Sequence, residues 1–201
     1  LTYGDHRNLS SGYTGLERAP EPAAVHTGDE FDWCVHRIVN DNFRDLERLS
    51  YRDMIPAPPT VHVRHYLFVK PDYIVLWDTF EAAHGPSTYW LHPWRAMEQT
   101  DAGRCRAGEG GEPHLVVQFI APAEPRVVDS AQRGPLWRFA ATAGTGEPYL
   151  ALLVPQVTDR EVRGGFDHAT RTLTVTGAGI DDRIVLPPAG SADDLPRIDR
   201  R

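Results

Sequence analysis

The sequence predicts an all-β protein, an antiparallel β-sandwich built as a double sheet of many short strands. Two observations carry that expectation. The first is alternation through Thr60–Ala82. In its first half Val61, Val63, His65, Leu67 and Val69 share one side, and His62, Arg64, Tyr66 and Phe68 share the other. In its second half Ile74, Leu76, Asp78 and Phe80 oppose Tyr73, Val75, Trp77 and Thr79. A period of two marks the half-buried strand. Between the halves stands Lys70-Pro71-Asp72. Proline has no N–H for a central ladder and Pro-Asp is turn chemistry, so the halves form an antiparallel hairpin. The second observation is rhythm: after residue 113 short strand-like runs recur, separated by glycine and proline, the pattern of a sandwich or barrel-like double sheet.

Taken in order, residues 1–28 are rich in Gly, Ser, Pro and His and read as loop or edge strand. Phe31, Trp33 and Val35 alternate with Asp32, Cys34 and His36, which predicts a strand over 31–39. Residues 40–52 are ambiguous, because Phe43, Leu46 and Leu49 have helical spacing in a short, charged segment. Pro56-Ala-Pro-Pro59 closes it and leads into the hairpin. Residues 82–87 read as a turn, 88–94 as an aromatic strand, and 101–113, with four glycines, as a surface loop. Strands are then expected at 114–121, 126–129, 136–143, 149–157, 172–176 and 183–186, with turns at Gly134-Pro135, Gly144-Thr-Gly146, Gly164-Gly165 and Gly177-Ala-Gly179. The domain is expected to run over 1–186, and the polar, proline-containing segment 187–201 to be a loosely ordered tail. The chain opens on Leu1 rather than Met, from which a processed chain, a fragment or a trimmed one is expected.

Composition narrows the function classes. At 201 residues and 41% hydrophobic content the chain can bury a sizeable core. Its net charge is −7, and Lys70 is its only lysine. An acidic domain lacks the basic field that nucleic acid requires, although individual arginines can still hold a carboxylate or sulfate bidentately. No apolar run approaches membrane-span length. Cys34 and Cys105 are no disulfide framework and leave both their pairing and the redox compartment open. A nucleophilic triad finds no Gly-x-Ser-x-Gly, phosphate binding finds no strand–Gly-rich loop–helix arrangement, and a cupin-type metal site finds no compact His-x-His.

The densest set of ligand-type side chains is His62, His65, Asp78, His84 and His92. Imidazoles with a carboxylate suit a divalent metal such as zinc, or calcium with a more oxygen-rich set. His62, Asp78 and His92 are the candidate ligands, although their spacing is no recognised zinc signature. The commoner reading is hydrogen-bonded core or surface residues. A carboxylate at Asp78 on an apolar strand needs a partner, and Arg64 or His65 on the preceding strand is the natural one. Arg64 is also the candidate for holding a ligand carboxylate. Trp90 and Trp94 share a side with His92 and suit stacking on sugar rings. For the set as a whole (Trp33, Trp77, Trp90, Trp94, Trp137, Tyr66, Tyr73, Tyr89) a packed core between sheets is the commoner role.

Residues 64–78, Arg-His-Tyr-Leu-Phe-Val-Lys-Pro-Asp-Tyr-Ile-Val-Leu-Trp-Asp, followed by Thr88-Tyr-Trp-Leu-His92, resemble the C-terminal β-sandwich of heparinase II/III-like polysaccharide lyases. The match is clearest over 60–93 and looser to about 186. The resemblance implies attachment to an N-terminal α/α-toroid and β-elimination on acidic, uronic-acid-containing polysaccharides. A Tyr or His base and a carboxylate-neutralising group would do the chemistry, mostly on the toroid. Such sandwiches often open with His-x-His-x-Asp, supplying an active-site histidine and a metal ligand, and carry a later His-Asn; no His-x-His occurs here. Asp5-His6-Arg7-Asn8 is the nearest counterpart of that later element and makes His6 the candidate active-site histidine. The other function class is a non-catalytic carbohydrate-binding or interaction module of the same architecture.

Overall fold

The computed structural model describes residues 2–3, 6–8, 21–44, 55–83, 87–91, 97–108, 112–121, 126–128, 138–191 and 193–201. Its elements are all strands: β1 (Thr2–Tyr3), β2 (His6–Asn8), β3 (Glu21–Thr27), β4 (Phe31–Arg44), β5 (Ile55–Val69), β6 (Tyr73–Ala82), β7 (Ser87–Leu91), β8 (Met97–Asp101), β9 (Arg104–Ala107), β10 (His114–Ala121), β11 (Arg126–Val128), β12 (Arg138–Ala143), β13 (Tyr149–Gln156), β14 (Arg163–Asp167), β15 (Thr172–Gly177), β16 (Ile180–Val185) and β17 (Arg197–Arg200). Every pairing between them is antiparallel. Among the described residues they form a 13-stranded sheet, ordered β11-β12-β7-β1-β2-β4-β5-β6-β13-β10-β9-β8 with β3 added on β4, and a four-stranded meander, β14-β15-β16-β17.

The hairpin predicted at 60–82 is the middle of the large sheet. β5 and β6 pair from Val69↔Tyr73 out to Val61↔Ala82 around the Lys70–Asp72 turn. The turn is tied to the β3–β4 hairpin: Lys70 Nζ donates to Gly28 O at 2.8 Å and meets Asp32 Oδ1 at 2.8 Å. Alternation then distributes the side chains as the sequence predicts. Val63, Leu67, Val69, Tyr73, Val75 and Trp77 join Leu150, Leu152, Leu173 and Ile184 in one core, lying between the large sheet and the meander. Each fully buried leucine of that set contributes roughly 1.5–3 kcal/mol.

The opposite face carries a second core. Leu76, Val117, Phe119, Tyr149 and Ala151 of the central strands meet Tyr89 of β7 and Ala143 of β12. β7 is several strands away from β13 along the sheet path, yet Ser87 and Tyr149 share a hydroxyl hydrogen bond of 2.8 Å. The large sheet therefore curls on itself, and its end strands β11 and β8 come into contact. One sheet face packs against the meander and the other closes over its own interior.

Four differences from the sequence reading have local causes. The strands are not all short: β4 has 14 residues and β5 has 15. The helical spacing over 40–52 is overridden at least to Arg44, because β4 pairs with β5 through Arg44↔Ile55; residues 45–52 lie outside the described set. The expected loop at 101–113 contains β9, whose Arg-Cys-Arg-Ala alternation was hidden by flanking glycines. Gly164-Gly165, expected as a turn, lies inside β14, where a Cβ on Gly164 would sit 2.5 Å from Ile120 Cδ1.

The expectation for 187–201 is also corrected. β17 pairs with β16 from Asp182↔Arg200 to Val185↔Arg197. Arg200 reaches back to the central turn, donating to Lys70 O at 2.8 Å and Asp72 Oδ2 at 2.7 Å.

Candidate functional site

β5 and β6 place Arg64 opposite Asp78 on the curled, inner side of the large sheet, and the next inward residue of β5 is His62. Arg64 donates from Nε to Asp78 Oδ1 at 2.8 Å and from Nη2 to Oδ2 at 2.6 Å. His62 Nε2 stands 3.4 Å from Asp78 Oδ2. Asp78 is 1% exposed and the Arg64 side chain 18%, so the carboxylate is interior and the guanidinium opens partway to solvent. Arg64 lies over the ring of Tyr89 at 4.9 Å and also near Tyr66 at 5.9 Å. A cation on an aromatic face is favourable, and more so when partly desolvated.

The electrostatics follow from burial and this pairing. Burial pushes the Asp78 carboxyl upward, but Arg64 and His62 outweigh it and hold the group well below the usual carboxylate range. Burial raises the Tyr89 hydroxyl to about 12 against the opposing pull of Arg64. Tyr149 is also raised to about 12, again by burial first. Both phenols are therefore neutral hydrogen-bonding groups at neutral pH. On the other sheet face His65 is buried against Trp33, with ring centroids 5.9 Å apart, and burial lowers it to about 4.

The candidate ligands His62 and Asp78 are thus neighbours, whereas the third, His92, lies outside the described residues, as do His84 and Trp94. Among the described residues no three His, Cys, Asp or Glu side chains gather as a metal cluster. Both Asp78 oxygens already face a guanidinium, so a divalent ion there would meet a fixed positive charge. This donor set fits an ion pair. Trp90 stands on β7 opposite Ala140, and His6 on β2 opposite Arg44; their side chains are outside the described set. Trp33, Trp77, Tyr73 and Tyr89 are core, as the commoner reading expects. Tyr66 and Phe68 are exposed on β5 instead. Cys34 and Cys105 are free thiols, and burial raises Cys105 to about 12.

A second site was missed in the sequence. Where β8 and β9 meet the start of β14, a cleft of about 440 Å³ is lined by Arg104, Arg106, Arg160 and Arg163 among carboxylates. The signal was present as Arg104-Cys-Arg106 and Asp159-Arg-Glu-Val-Arg163, but these arginines are 54 or more positions apart in places and only the packing of the meander on the large sheet brings them together.

The class defined so far is an all-β sandwich module with arginine–carboxylate sites on both faces of its main sheet. No protein-family model matches the sequence, and no curated protein sequence matches it. Solved structures do. The heparan sulfate lyase HepC from Pedobacter heparinus is similar at TM-score 0.53 and 15% identity, over 87% of this chain and 28% of that one. The heparinase III BT4657 gene product gives 0.55 and 11% over 81% of this chain and 27% of its own. Another heparinase III gives 0.51 and 11% over 82% and 27%. The chain has the fold of a region of these lyases and spans a little over a quarter of their length, as the resemblance at 60–93 predicts.

Proposed function

We propose that this chain is the β-sandwich portion of a polysaccharide lyase that cleaves uronic-acid-containing glycans by β-elimination together with an α/α-toroid. The observation that carries the reading is the fold likeness to heparan sulfate lyase over 87% of the chain. The sandwich forms a wall of the glycan site and the toroid supplies most of the acid–base groups. His6 is the histidine of this chain assigned to the active site, with Arg64, Trp90 and Trp94 as glycan contacts. Arg64 supports that role chemically, since its bond to Asp78 uses Nε and Nη2 and its side chain is part exposed.

The test is the ultraviolet absorbance of an unsaturated uronate product. The purified chain alone gives no rise with heparan sulfate or alginate, and a longer protein joining this segment to its toroid does. A rise from the chain alone overturns this division of labour; none from the longer protein overturns the lyase reading. A second reading, a non-catalytic carbohydrate-binding module, is favoured by Tyr66 and Phe68, two aromatic rings exposed at alternate positions of one strand face. It predicts oligosaccharide binding by the chain with no unsaturated product from either protein.

A further inference from the structure

The arginine cleft lies on the opposite face of the large sheet from Arg64 and Asp78. β9 pairs Arg104 with Gln118 and Arg106 with Val116, and Val116 belongs to the core beneath the meander. Cys105, between the two arginines, points into the other core. From the end of β13 the chain crosses toward β14, carrying Asp159, Arg160 and Glu161 over the cleft. Gln118 fixes the far side, exchanging hydrogen bonds with Gly164 N and O at 2.9 and 3.0 Å.

Arg104 and its carboxylate partner in this cleft are held very differently. The Arg104 side chain is 8% exposed, set in the sheet, and donates to Glu161 Oε1 at 2.9 Å. Glu161 is 65% exposed and shares that same oxygen with Arg163. Arg163 and then Arg104 hold the Glu161 carboxyl below its ordinary range. Arg163 also donates to Asp101, and Arg106 to Glu98, both at the exposed edge strand. Arg106 Nε is buried with no hydrogen-bond partner among the described residues. The embedded Arg104 is therefore capped by a solvent-facing carboxylate, whereas Arg163, itself half exposed, pairs with that carboxylate and with Asp101 at the surface, where ion pairs contribute little and exchange readily. Arginine suits bidentate recognition of oxyanions.

We infer that the cleft is an oxyanion-exchange site: a sulfate or carboxylate group of an acidic oligosaccharide displaces Glu161 from Arg104 and Arg163. No covalent bond changes; one anion replaces another on the same donors. The choice of a saccharide rests on the lyase-sandwich reading above, whereas the anion chemistry rests on the arginines alone. On that reading the cleft holds the glycan at a second point, away from the Arg64 face.

The experiment is calorimetric titration of the chain with inorganic sulfate, a sulfated uronate oligosaccharide, an unsulfated one and a neutral one. Binding of the acidic saccharides, but not the neutral one, is expected, with the sulfated and unsulfated arms ranking the two oxyanions. The diagnostic variant is E161Q, which removes the carboxylate shared by Arg104 and Arg163 and tightens binding by about threefold. R163Q, at an exposed position, weakens it by about fivefold or more without unfolding the chain. No acidic-saccharide binding, or binding indifferent to E161Q and R163Q, overturns the inference. Sulfate binding without saccharide binding overturns the glycan assignment. Failure of the lyase reading appears separately, as a longer protein that binds acidic glycan and yields no unsaturated product.

Discussion

The Arg64 guanidinium meets both oxygens of Asp78, at 2.8 and 2.6 Å, from directly opposed positions of β5 and β6. Asp78 is buried beside an apolar core, so neither charge is well hydrated without the other. Removing one partner strands the other. Asp78→Ala and Arg64→Ala are each expected to cost about 3–5 kcal/mol. The double replacement Arg64→Met with Asp78→Leu, which removes both charges and keeps volume, is expected to cost far less than the sum. Denaturant midpoints of the four proteins check this, and additive losses would show that the pair is not coupled. Since Asp78 is held below its usual value of 3.8, its contribution is complete above about pH 4 and is lost only as pH falls further.

His65 sets a different pH window. Burial holds the imidazole neutral, with a value of about 4 against 6.5 when free. In the unfolded chain it binds a proton throughout the interval between these values, and in the folded chain it does not. Stability is therefore full above about pH 6.5 and falls as pH drops toward 4, by up to about 3 kcal/mol from this group. His65→Leu, similar in volume and never charged, is expected to flatten the fall. Chemical unfolding of both proteins at several pH values across that window measures it; an unchanged slope in the variant sinks the assignment.

The central hairpin was readable because β-branched and aromatic residues dominate both runs and Lys70-Pro71-Asp72 separates them, although β6 is buried on both faces from Val75 to Thr79. The sequence also narrowed the partner of Asp78 to Arg64 or His65, and the structure selects Arg64, with His65 turned to the other sheet face. The arginine cleft was not readable. Arg104 and Arg163 lie on different sheets, and their meeting depends on β9 being a strand at all, which its glycine-rich surroundings concealed. β14 was hidden for a related reason. Its two glycines mimic a turn, but Gly164 serves close packing against Ile120, an effect visible only once both sheets are in place.

Gly177 tests that packing in the loop that presents Glu161. Its φ is +110°, and a Cβ there would stand 2.1 Å from Glu161 O. Backbone cannot yield as a side-chain tip can. Gly177→Ala is expected to cost ~2–5 kcal/mol, combining left-handed strain with overpacking. Gly179, at φ +84° with nothing within 4 Å of the added atom, separates the two effects. Gly179→Ala should cost only the strain, about 1–2 kcal/mol. Thermal or denaturant unfolding compares them, and equal losses would mean that the close approach to Glu161 contributes nothing.

The C-terminal strand is expected to hold the central hairpin through Asp182. Tyr73, first residue of β6, donates its hydroxyl to Asp182 Oδ2 at 2.6 Å, and Arg200 Nε reaches Oδ1 at 3.3 Å. Asp182 is 2% exposed, so its charge depends on these two donors. Burial, and then Asp182, raise the Tyr73 hydroxyl far above its usual range, which keeps it a donor at every working pH. Tyr73→Phe removes the shorter bond at a buried site and should cost about 1.5–3 kcal/mol. Arg200→Gln removes the longer one together with the bonds to Lys70 O and Asp72 Oδ2, but at a part-exposed site where each is worth little, and should cost less. Cutting the chain after Pro196 removes Arg200 with Ile198, which packs on the core between the sheets, and should cost more than Arg200→Gln alone. Hydrogen exchange at the β5–β6 turn supplies the readout: protection at Lys70–Tyr73 falls in the truncated chain if β17 clamps the hairpin, and is unchanged if it only follows β16.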